Sequence, residues 1–278
     1  MLAVRKRREE AGKMAETDVL SAEGIFRRLK NRSLRIEYLP VAGSTNTLAK
    51  ERAAAGEPEG LVIAAGEQTA GRGRMGRSFY SPAGTGLYMS LLLRPKCTAA
   101  ECALLTGAAA VAAAESVEAL TGRRTAIKWV NDVLLDGRKI CGILTETALD
   151  PGSGRPDWAV VGVGVNVRLP EGGFPEDIRD RAGAVFSRGE TGELRCALAA
   201  ALLDRLTELY GDLGGEECYN SYVNRSSVLG RDVWLLSPGR APEAATVLSI
   251  GRDYALEVRL ADGTMRRVAA GEISLRDR

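Results

Sequence analysis

The segment that says most about the fold is IKWVNDVLLDGRKICGILTE, Ile127 to Glu146. Asp136-Gly137 stands between two apolar runs, and this dipeptide is typical of a two-residue hairpin turn. The pattern therefore predicts an antiparallel pair of strands over 133–135 and 139–146. Under strict alternation, one face of the second strand carries Lys139, Cys141, Ile143 and Thr145, and the other carries Ile140, Gly142, Leu144 and Glu146.

Two residues of this hairpin are unusual for an ordinary strand. A lysine beside cysteine and isoleucine, such as Lys139, either extends to solvent at a sheet edge or is held inward for chemistry. A lysine that protects an edge strand from aggregation is the commoner of the two. Gly142 indicates a close approach of backbone or ligand, although a bulge is the simpler explanation. Lys128 and Asp132 flank the strand that enters the hairpin.

Helix and strand patterns continue on both sides of the hairpin, and then the pattern changes. We predict helices after Ser21 and Ser44 and over 101–120 and 194–213, and strands over 34–39, 61–66, 87–93, 125–129 and 158–167. A shorter helical piece extends to about Asn224, and short alternating strands follow it. The sequence therefore predicts an N-terminal tail over 1–20, an α+β domain with a mixed β-sheet over 21–224, and an SH3-like β-barrel over 225–278.

The composition excludes several classes of protein and of catalyst. The 278 residues carry a net charge of +2, so any phosphate recognition should be local. No histidine is present, which excludes histidine-based nucleophilic catalysis and histidine metal sites. The five cysteines form no CxxC pair and indicate reduced thiols in the cytoplasm. The sequence predicts no transmembrane helix and no secretory signal, and Met14 is an alternative start to Met1.

A glycine-rich segment, GEQTAGRGRMGRSFYSP over 66–82, carries Arg72, Arg74 and Arg77. Glycines allow backbone N–H groups to form an anion-binding nest, and arginines grip phosphate or carboxylate with two hydrogen bonds. The segment matches neither the P-loop nor the dinucleotide-binding pattern. An exposed basic loop that contacts RNA, or nothing, is the alternative interpretation.

Two further patterns are candidates for ligand contact. Gly162, Gly164 and Asn166 share one face of a valine-rich strand, where they either open a slot for a flat ligand or pack against the alanine-rich helix. Ser44, Thr45 and Asn46 stand at a predicted helix start, where capping alone explains the serine but where an anion or ligand can also bind.

The order of these motifs resembles the biotin protein ligase family. The matching motifs are GSTN, EQTAGRGRMGRSFYSP, LYMSLLLRP, KWVNDVLLDGRKICGILTE, GVGVNV and GEISLR, from about Leu34 to Arg276. The resemblance implies a catalytic domain of the class II synthetase-like, biotin–lipoate ligase type with a small SH3-like barrel. It also implies that the chain joins biotin and ATP into biotinyl-5′-AMP and then acylates one lysine of a biotin carboxyl carrier protein. Only about twenty residues precede the first helix, so we expect a monofunctional ligase without the DNA-binding domain.

The resemblance also assigns roles to residues. Lys139, Asp132 and Arg74 are the implied catalytic residues, with Asp132 orienting or deprotonating the acceptor lysine. The implied biotin-binding residues are Ser44, Thr45, Asn46, Gln68, Arg72, Gly73, Arg74, Lys139, Gly142, Gly162 and Gly164. The implied ATP-binding residues are Arg74, Arg77, Asn131, Lys139, Asn166 and Arg276. We expect no metal site built from a side-chain cluster, and Mg²⁺ to enter with ATP. The sequence departs from the family pattern at Val130, in KWVND, and at Phe79, where tryptophan is common.

The same sequence keeps two other functions open. A lipoate or octanoate ligase has the same catalytic architecture, although the arginine loop and GEISLR favour biotin. A nucleic-acid-binding regulator would use the arginine loop on phosphate and would bind with a steep salt dependence. The expected partners are biotin, ATP and the carrier protein, with neither nucleic acid nor membrane, and a homodimer is left open.

Overall fold

The structure is a computed structural model that describes residues 18–186, 193–236, 241–269 and 271–275. Most of the predicted tail, including Met14, and the predicted ATP ligand Arg276 lie outside the described residues.

The described residues contain five α-helices, two short 3₁₀ helices and twelve strands, and each predicted element up to Asn224 is present. The helices are α1 (Ala22–Arg28), α2 (Thr45–Ala54), α3 (Leu104–Thr121), α4 (Leu194–Gly211) and α5 (Glu216–Asn224). The strands are β1 (Arg35–Leu39), β2 (Leu61–Ala65), β3 (Gly86–Leu93), β4 (Thr125–Lys128), β5 (Asp132–Leu135), β6 (Arg138–Leu149), β7 (Pro156–Asn166), β8 (Asp232–Leu236), β9 (Glu243–Ile250), β10 (Leu256–Leu260), β11 (Met265–Val268) and β12 (Glu272–Leu275).

A seven-stranded sheet in the order β1-β2-β3-β7-β6-β5-β4 forms the centre of the fold. The pair β1–β2 is parallel and the other pairs are antiparallel, so the predicted mixed sheet is confirmed. The hairpin turn between β5 and β6 is also confirmed, because Asp136 and Gly137 both have positive φ, at 51° and 75°. This combination is the one that a two-residue type I′ turn requires.

The alanine-rich α3 lies against one face of this sheet. Its small residues, from Ala108 to Ala114, are almost fully buried, so neighbouring α4 and the sheet approach it closely. The segment Glu101–Thr121 is long and apolar enough to be a candidate membrane span, with 61% of the window buried inside the protein. That burial is typical of a core helix of a folded domain.

The predicted alternation along β6 is wrong at its first residues. Asp132 pairs with Gly142 and Val133 with Cys141, but the next pair is Leu134 with Lys139, so Ile140 is an extra residue opposite β5. Such a β-bulge shifts the alternation by one position. Lys139 consequently lies on the same face as Gly142 instead of the opposite one, and Ile140 and Cys141 are both fully buried.

A second sheet, in the order β11-β10-β9-β8-β12, is antiparallel throughout. It is tied to the first part of the chain by the indole N–H of Trp129, which donates to the Tyr254 carbonyl oxygen at 2.6 Å. The rings of Tyr222 and Tyr254 also contact each other, with centroids 4.4 Å apart. The mixed sheet with a separate antiparallel sheet confirms the predicted fold class, whereas the domain boundaries stay a prediction.

Candidate active site

A cavity opens on the face of the large sheet that points away from α3. The Thr106 hydroxyl on α3 bonds the Thr145 hydroxyl at 2.9 Å, so the residues of β6 that alternate with Thr145 face the other way, into the cavity. Its free volume is about 50 Å³. It is lined by Ser44, Thr45, Asn46, Gln68, Arg72, Gly73, Arg74, Phe79, Met89, Asn131, Lys139, Gly142, Ile143, Leu144, Gly162, Val163 and Gly164.

A chain of hydrogen bonds occupies the end of the cavity near the start of α2. Gln68 Oε1 accepts from the Thr45 backbone N–H at 2.9 Å and from its hydroxyl at 3.1 Å, and Gln68 Nε2 donates to Ser81 Oγ at 3.0 Å. Ser44 occupies the N-cap position of α2, but its side chain makes no capping hydrogen bond. Capping alone therefore does not account for the Ser44 hydroxyl, which lies in the cavity wall.

The side-chain amide of Asn46 is hydrogen-bonded through both its nitrogen and its oxygen. Its nitrogen donates to the Leu144 carbonyl and to Glu146 Oε2, both at 3.1 Å, and its oxygen lies 2.6 Å from Ser90 Oγ. A Cβ added at Gly162 would lie 1.9 Å from Asn46 Oδ1. Glycine is therefore required at this position of β7, because any larger residue would displace a buried amide.

The slot predicted beside Gly164 holds a side chain of the protein itself. A Cβ at Gly164 would lie 2.6 Å from the Phe79 ring, and one at Gly142 would lie 3.3 Å from it. The ring also contacts Tyr88 edge-on, with centroids 6.4 Å apart. The glycine face thus accommodates Phe79 and Asn46 and does not pack against the alanine-rich helix.

The arginine loop folds back on itself as a tight hairpin over the cavity. Phe79 N donates to the Gly71 carbonyl at 2.9 Å, and Gly73 N donates to the Arg77 carbonyl at 2.7 Å. Met75 has a φ of +56° at the tip. Arg74 donates to Asn131 Oδ1 at 2.8 Å and to the Gly271 carbonyl at 3.3 Å, so the loop contacts both the large sheet and the last strands of the chain.

Lys139 lies at the other end of the cavity, against a carboxylate. Its ammonium nitrogen is 2.6 Å from Asp132 Oδ1, with side-chain exposures of 35% and 23%. A Cβ at Gly142 would come within 3.2 Å of the Lys139 nitrogen, so the glycine leaves room for the ammonium over the strand. Behind it, burial raises the pKa of the Cys141 thiol far above its ordinary value, which makes this cysteine an inert part of the core.

Similarity to known proteins identifies the family. Residues 38–166 match the family model described as the biotin/lipoate A/B protein ligase family. The biotin–[acetyl-CoA-carboxylase] ligase of Mycobacterium tuberculosis is 30% identical over 249 residues, which cover 86% of this chain and 88% of that protein. The chain belongs to the biotin protein ligase family.

Solved members of the family have the same architecture. The biotin protein ligase from Aquifex aeolicus in complex with biotin and ATP has a TM-score of 0.66 and 25% identity, and the match covers 87% of this chain and 98% of that one. The Leishmania major biotin protein ligase in complex with biotinyl-5-AMP has a TM-score of 0.57 and 26% identity, and the match covers 85% of this chain and 99% of that one.

The bifunctional ligase/repressor BirA of Bacillus subtilis is 41% identical over 145 residues, which span 44% of that relative's length.

Within this family member, most of the residues predicted from the sequence meet in one place. All eleven predicted biotin contacts line the cavity, as do Arg74, Asn131 and Lys139 of the ATP set. Asp132 joins the site through Lys139. Of the predicted ATP residues that the structure describes, two do not line the cavity: Arg77 is exposed on the loop, and Asn166 donates to the Gly183 carbonyl at 3.0 Å.

Sequence reasoning missed one residue that lines the cavity, Phe79, and three that lie beside it, Ser90, Lys50 and Glu146. Phe79 was noted only as a departure from the family pattern, and Ser90, Lys50 and Glu146 received no role. The alternation along β6 offered a signal for Glu146, since it shares a face with Gly142. Helical spacing offered one for Lys50, which lies four residues after Asn46 in α2.

Proposed function

We propose that the chain is an ATP-dependent biotin protein ligase that forms biotinyl-5′-AMP and transfers biotin to a lysine of a biotin carboxyl carrier protein. The observation that carries the proposal is the Lys139–Asp132 pair, 2.6 Å apart, in a cavity whose other end is a wall of hydrogen-bonding groups. A fixed cation beside polar groups fits a substrate that joins a polar ring to a carboxylate. Family membership and the ligands named for the Aquifex aeolicus and Leishmania major proteins support the same assignment.

In the first step a biotin carboxylate oxygen attacks the α-phosphorus of ATP. A carboxylate–phosphorus bond forms, the bond between the α-phosphorus and the bridging oxygen breaks, and pyrophosphate leaves. Both reactants are anions, so the approach is opposed by repulsion. The Lys139 ammonium lowers this repulsion and stabilises the charge that develops on phosphorus, and Asp132 holds the ammonium in position.

In the second step the amine of the acceptor lysine attacks the carbonyl carbon of the acyl-adenylate. An amide bond forms, AMP leaves, and one proton of the attacking nitrogen must be removed. The sequence has no histidine, so a carboxylate or a phosphate oxygen has to accept that proton. Asp132 is the carboxylate nearest to the reacting groups in our assignment, and it orients or deprotonates the amine.

The two ends of the cavity bind different parts of the substrates in this proposal. Ser44, Thr45, Asn46 and Gln68 hold the ureido ring of biotin, and Arg74 with Asn131 holds the phosphates. We expect Mg²⁺ to enter on the ATP phosphates. Among the described residues, no three cysteine or acidic side chains converge in a way that could hold a metal ion.

The proposal also specifies how the carrier protein reaches the cavity and in which compartment the reaction takes place. The carrier protein supplies its lysine from outside, so it must reach the cavity beside the arginine loop and the nearby last strands. We propose that the reaction takes place in the cytoplasm, where reduced cysteines persist. The mixed-sheet domain carries the chemistry in this view, and the C-terminal strands form an SH3-like domain beside it.

One experiment tests the function directly. The protein is incubated with biotin, Mg-ATP and a biotin carboxyl carrier domain, and intact-mass and peptide mass spectrometry locate any added biotin. The expected result is the mass of one biotin on one lysine. Pyrophosphate exchange driven by lipoate or octanoate and not by biotin would contradict the proposal and favour the related ligase. Tight, salt-sensitive DNA binding without any exchange would favour the regulator.

A further inference from the structure

Glu146 lies at the centre of a charge cluster beside the cavity, and the proposed chemistry gives it no role. Its carboxylate accepts from Lys50 Nζ at 2.8 Å, from Asn46 Nδ2 at 3.1 Å and from Arg72 Nη1 at 3.0 and 2.9 Å. These partners come from α2 and from the arginine loop, whereas Glu146 itself is on β6. One carboxylate therefore joins three separate parts of the fold.

The carboxylate is held in place independently of the loop. Asn46 and Lys50 are on one helix, and the same Asn46 nitrogen also donates to the Leu144 carbonyl of β6. The Glu146 side chain is 21% exposed and that of Lys50 is 27% exposed, so this pair is partly buried. Helix and strand thus present a preorganised acceptor to the guanidinium of Arg72.

The loop depends on such anchors, because glycine-rich backbone loses much conformational freedom when it is ordered. Its own cross-loop bonds, from Gly73 and Phe79, close the hairpin but do not attach it to the sheet. Arg74 attaches one side, through Asn131 and the Gly271 carbonyl. Arg72 attaches the other side, through Glu146.

We propose that Glu146 is a positioning residue that, through Arg72, helps to hold the arginine loop over the cavity and thereby lengthens the retention of the acyl-adenylate. Glu146 touches no reacting atom and does not line the cavity. Its effect on the loop passes through Arg72. The inference concerning the intermediate rests on the proposed function, whereas the inference concerning the loop does not.

The first test is amide hydrogen exchange of the ligand-free protein. Glu146→Gln removes the charge at nearly constant shape, and exchange at Gly73 and Phe79 should rise about fivefold, the factor that corresponds to an ion pair of about 1 kcal/mol. Amides of β7 should exchange as in the wild type, which shows that the fold is intact. Glu37→Gln is the matched control, because Glu37 pairs with Arg52 of the same helix α2 at 3.1 Å and does not touch the loop.

The second test separates positioning from charge. Arg72→Lys keeps the charge but has a shorter side chain without the planar guanidinium, so its loop exchange should lie between those of the wild type and Arg72→Ala. The double variant Arg72→Ala/Glu146→Gln should exchange no faster than Arg72→Ala alone. Additive effects in this double variant would overturn the proposal, since they would mean that the two side chains act independently.

The third test measures the intermediate. Release of biotinyl-AMP from Glu146→Gln should be about fivefold faster than from the wild type or Glu37→Gln, with little change in the initial binding of biotin. Unchanged loop exchange and unchanged release would overturn the proposed role of Glu146. If the wild type forms no adenylate, the proposed function fails, and the exchange measurements still decide whether Glu146 holds the loop.

Discussion

The ammonium of Lys139 and the carboxylate of Asp132 are 2.6 Å apart, although seven positions separate them in the chain. Asp132 is the first residue of β5, and Lys139 lies directly after the start of β6. The extra residue Ile140 shifts the alternation of β6, so that Lys139 turns to the face of the sheet that carries Gly142. The hairpin and its bulge therefore create the ion pair that the proposed chemistry uses.

Replacement of Lys139 by alanine should abolish adenylate formation. The variant loses the fixed positive charge that stabilises the negative charge developing on the α-phosphate. Biotin-dependent pyrophosphate exchange should therefore fall about 10²- to 10³-fold. Biotin binding, measured by calorimetry without ATP, should survive, because the ring contacts are at the other end of the cavity. Arg138→Ala is the neighbouring control, since Arg138 is exposed outside the cavity. Near-normal exchange by Lys139→Ala would exclude the role proposed for this lysine.

Replacement of Arg74 by alanine should shorten the lifetime of the bound intermediate. The variant loses the bonds to Asn131 and to the Gly271 carbonyl, which attach the loop to two parts of the protein. Release of biotinyl-AMP, followed by rapid filtration, should be at least about tenfold faster. Arg155→Ala, in the exposed turn between β6 and β7, provides the control. A release rate equal to that of the wild type would count against the retaining role of the loop.

A methyl group at Gly162 should damage the biotin end of the cavity without unfolding the protein. It would lie 1.9 Å from Asn46 Oδ1. The nitrogen and the oxygen of the Asn46 amide are both hydrogen-bonded, so the amide cannot move away from the methyl group without breaking these bonds. Biotin affinity should fall about tenfold or more, from a strain of roughly 1–3 kcal/mol. Gly172→Ala is the control, because a Cβ there would meet nothing within 4 Å. Wild-type affinity in Gly162→Ala would contradict the placement of biotin beside Asn46.

The arginine loop should become more protected when ligands bind. Glycine-rich backbone has a high ordering cost, so contacts with biotin and ATP should reduce the opening of segment 69–81. Hydrogen exchange with and without biotin and a non-hydrolysable ATP analogue measures this directly, with the amides of α3 as the internal reference. Equal protection of the loop in both states would show that ligands do not order it.

The stability of the protein should depend on Glu118 in a pH-dependent way. Burial raises the pKa of this carboxyl, but hydrogen bonds from Arg225 and Thr125 and the charge of Arg225 outweigh burial, so the pKa lies below its ordinary value of 4.5. A lowered pKa in the folded state means that the stabilisation is complete above the unfolded value and is lost as the pH falls through the folded value.

Glu118→Gln should therefore lower the free energy of unfolding by about 1–3 kcal/mol at pH 7. The difference from the wild type should shrink when the pH is lowered from 7 to an acidic value below the folded-state pKa, because the wild-type carboxyl is then protonated as well. Urea denaturation at both pH values measures the difference, and Glu51→Gln, at an exposed position of α2, is the control. A difference that stays constant between the two pH values would contradict this account.

Local sequence patterns predict nearly all the elements of this fold. Asp136-Gly137 specifies its turn because only residues that tolerate positive φ fit there, and Ser21 caps α1 by accepting from the Gly24 N–H at 3.1 Å. The apolar run Leu61–Ala65 becomes a strand buried along its whole length. Such features depend on neighbours in the chain, so a sequence is sufficient to find them.

The candidate site was predictable from the sequence only in part. The arginine loop, the lysine and the glycines were predicted as separate pieces, and their order along the chain identified the family. Three details came only with the structure: the side of the sheet on which Lys139 lies, the occupation of the glycine face by Phe79, and the contacts of Glu146. Strict alternation placed Lys139 on the wrong face because a bulge depends on how the partner strand pairs.

The sequence by itself thus determined the elements of the protein, its lack of histidine chemistry and the family to which it belongs. Only the tertiary structure determined which charged side chains form ion pairs. Glu146 pairs with Arg72 across 74 positions of the chain and with Lys50 across 96. Such contacts follow from the packing of a helix, a loop and a strand at one edge of a cavity, and packing is a property of the whole fold that no local pattern encodes.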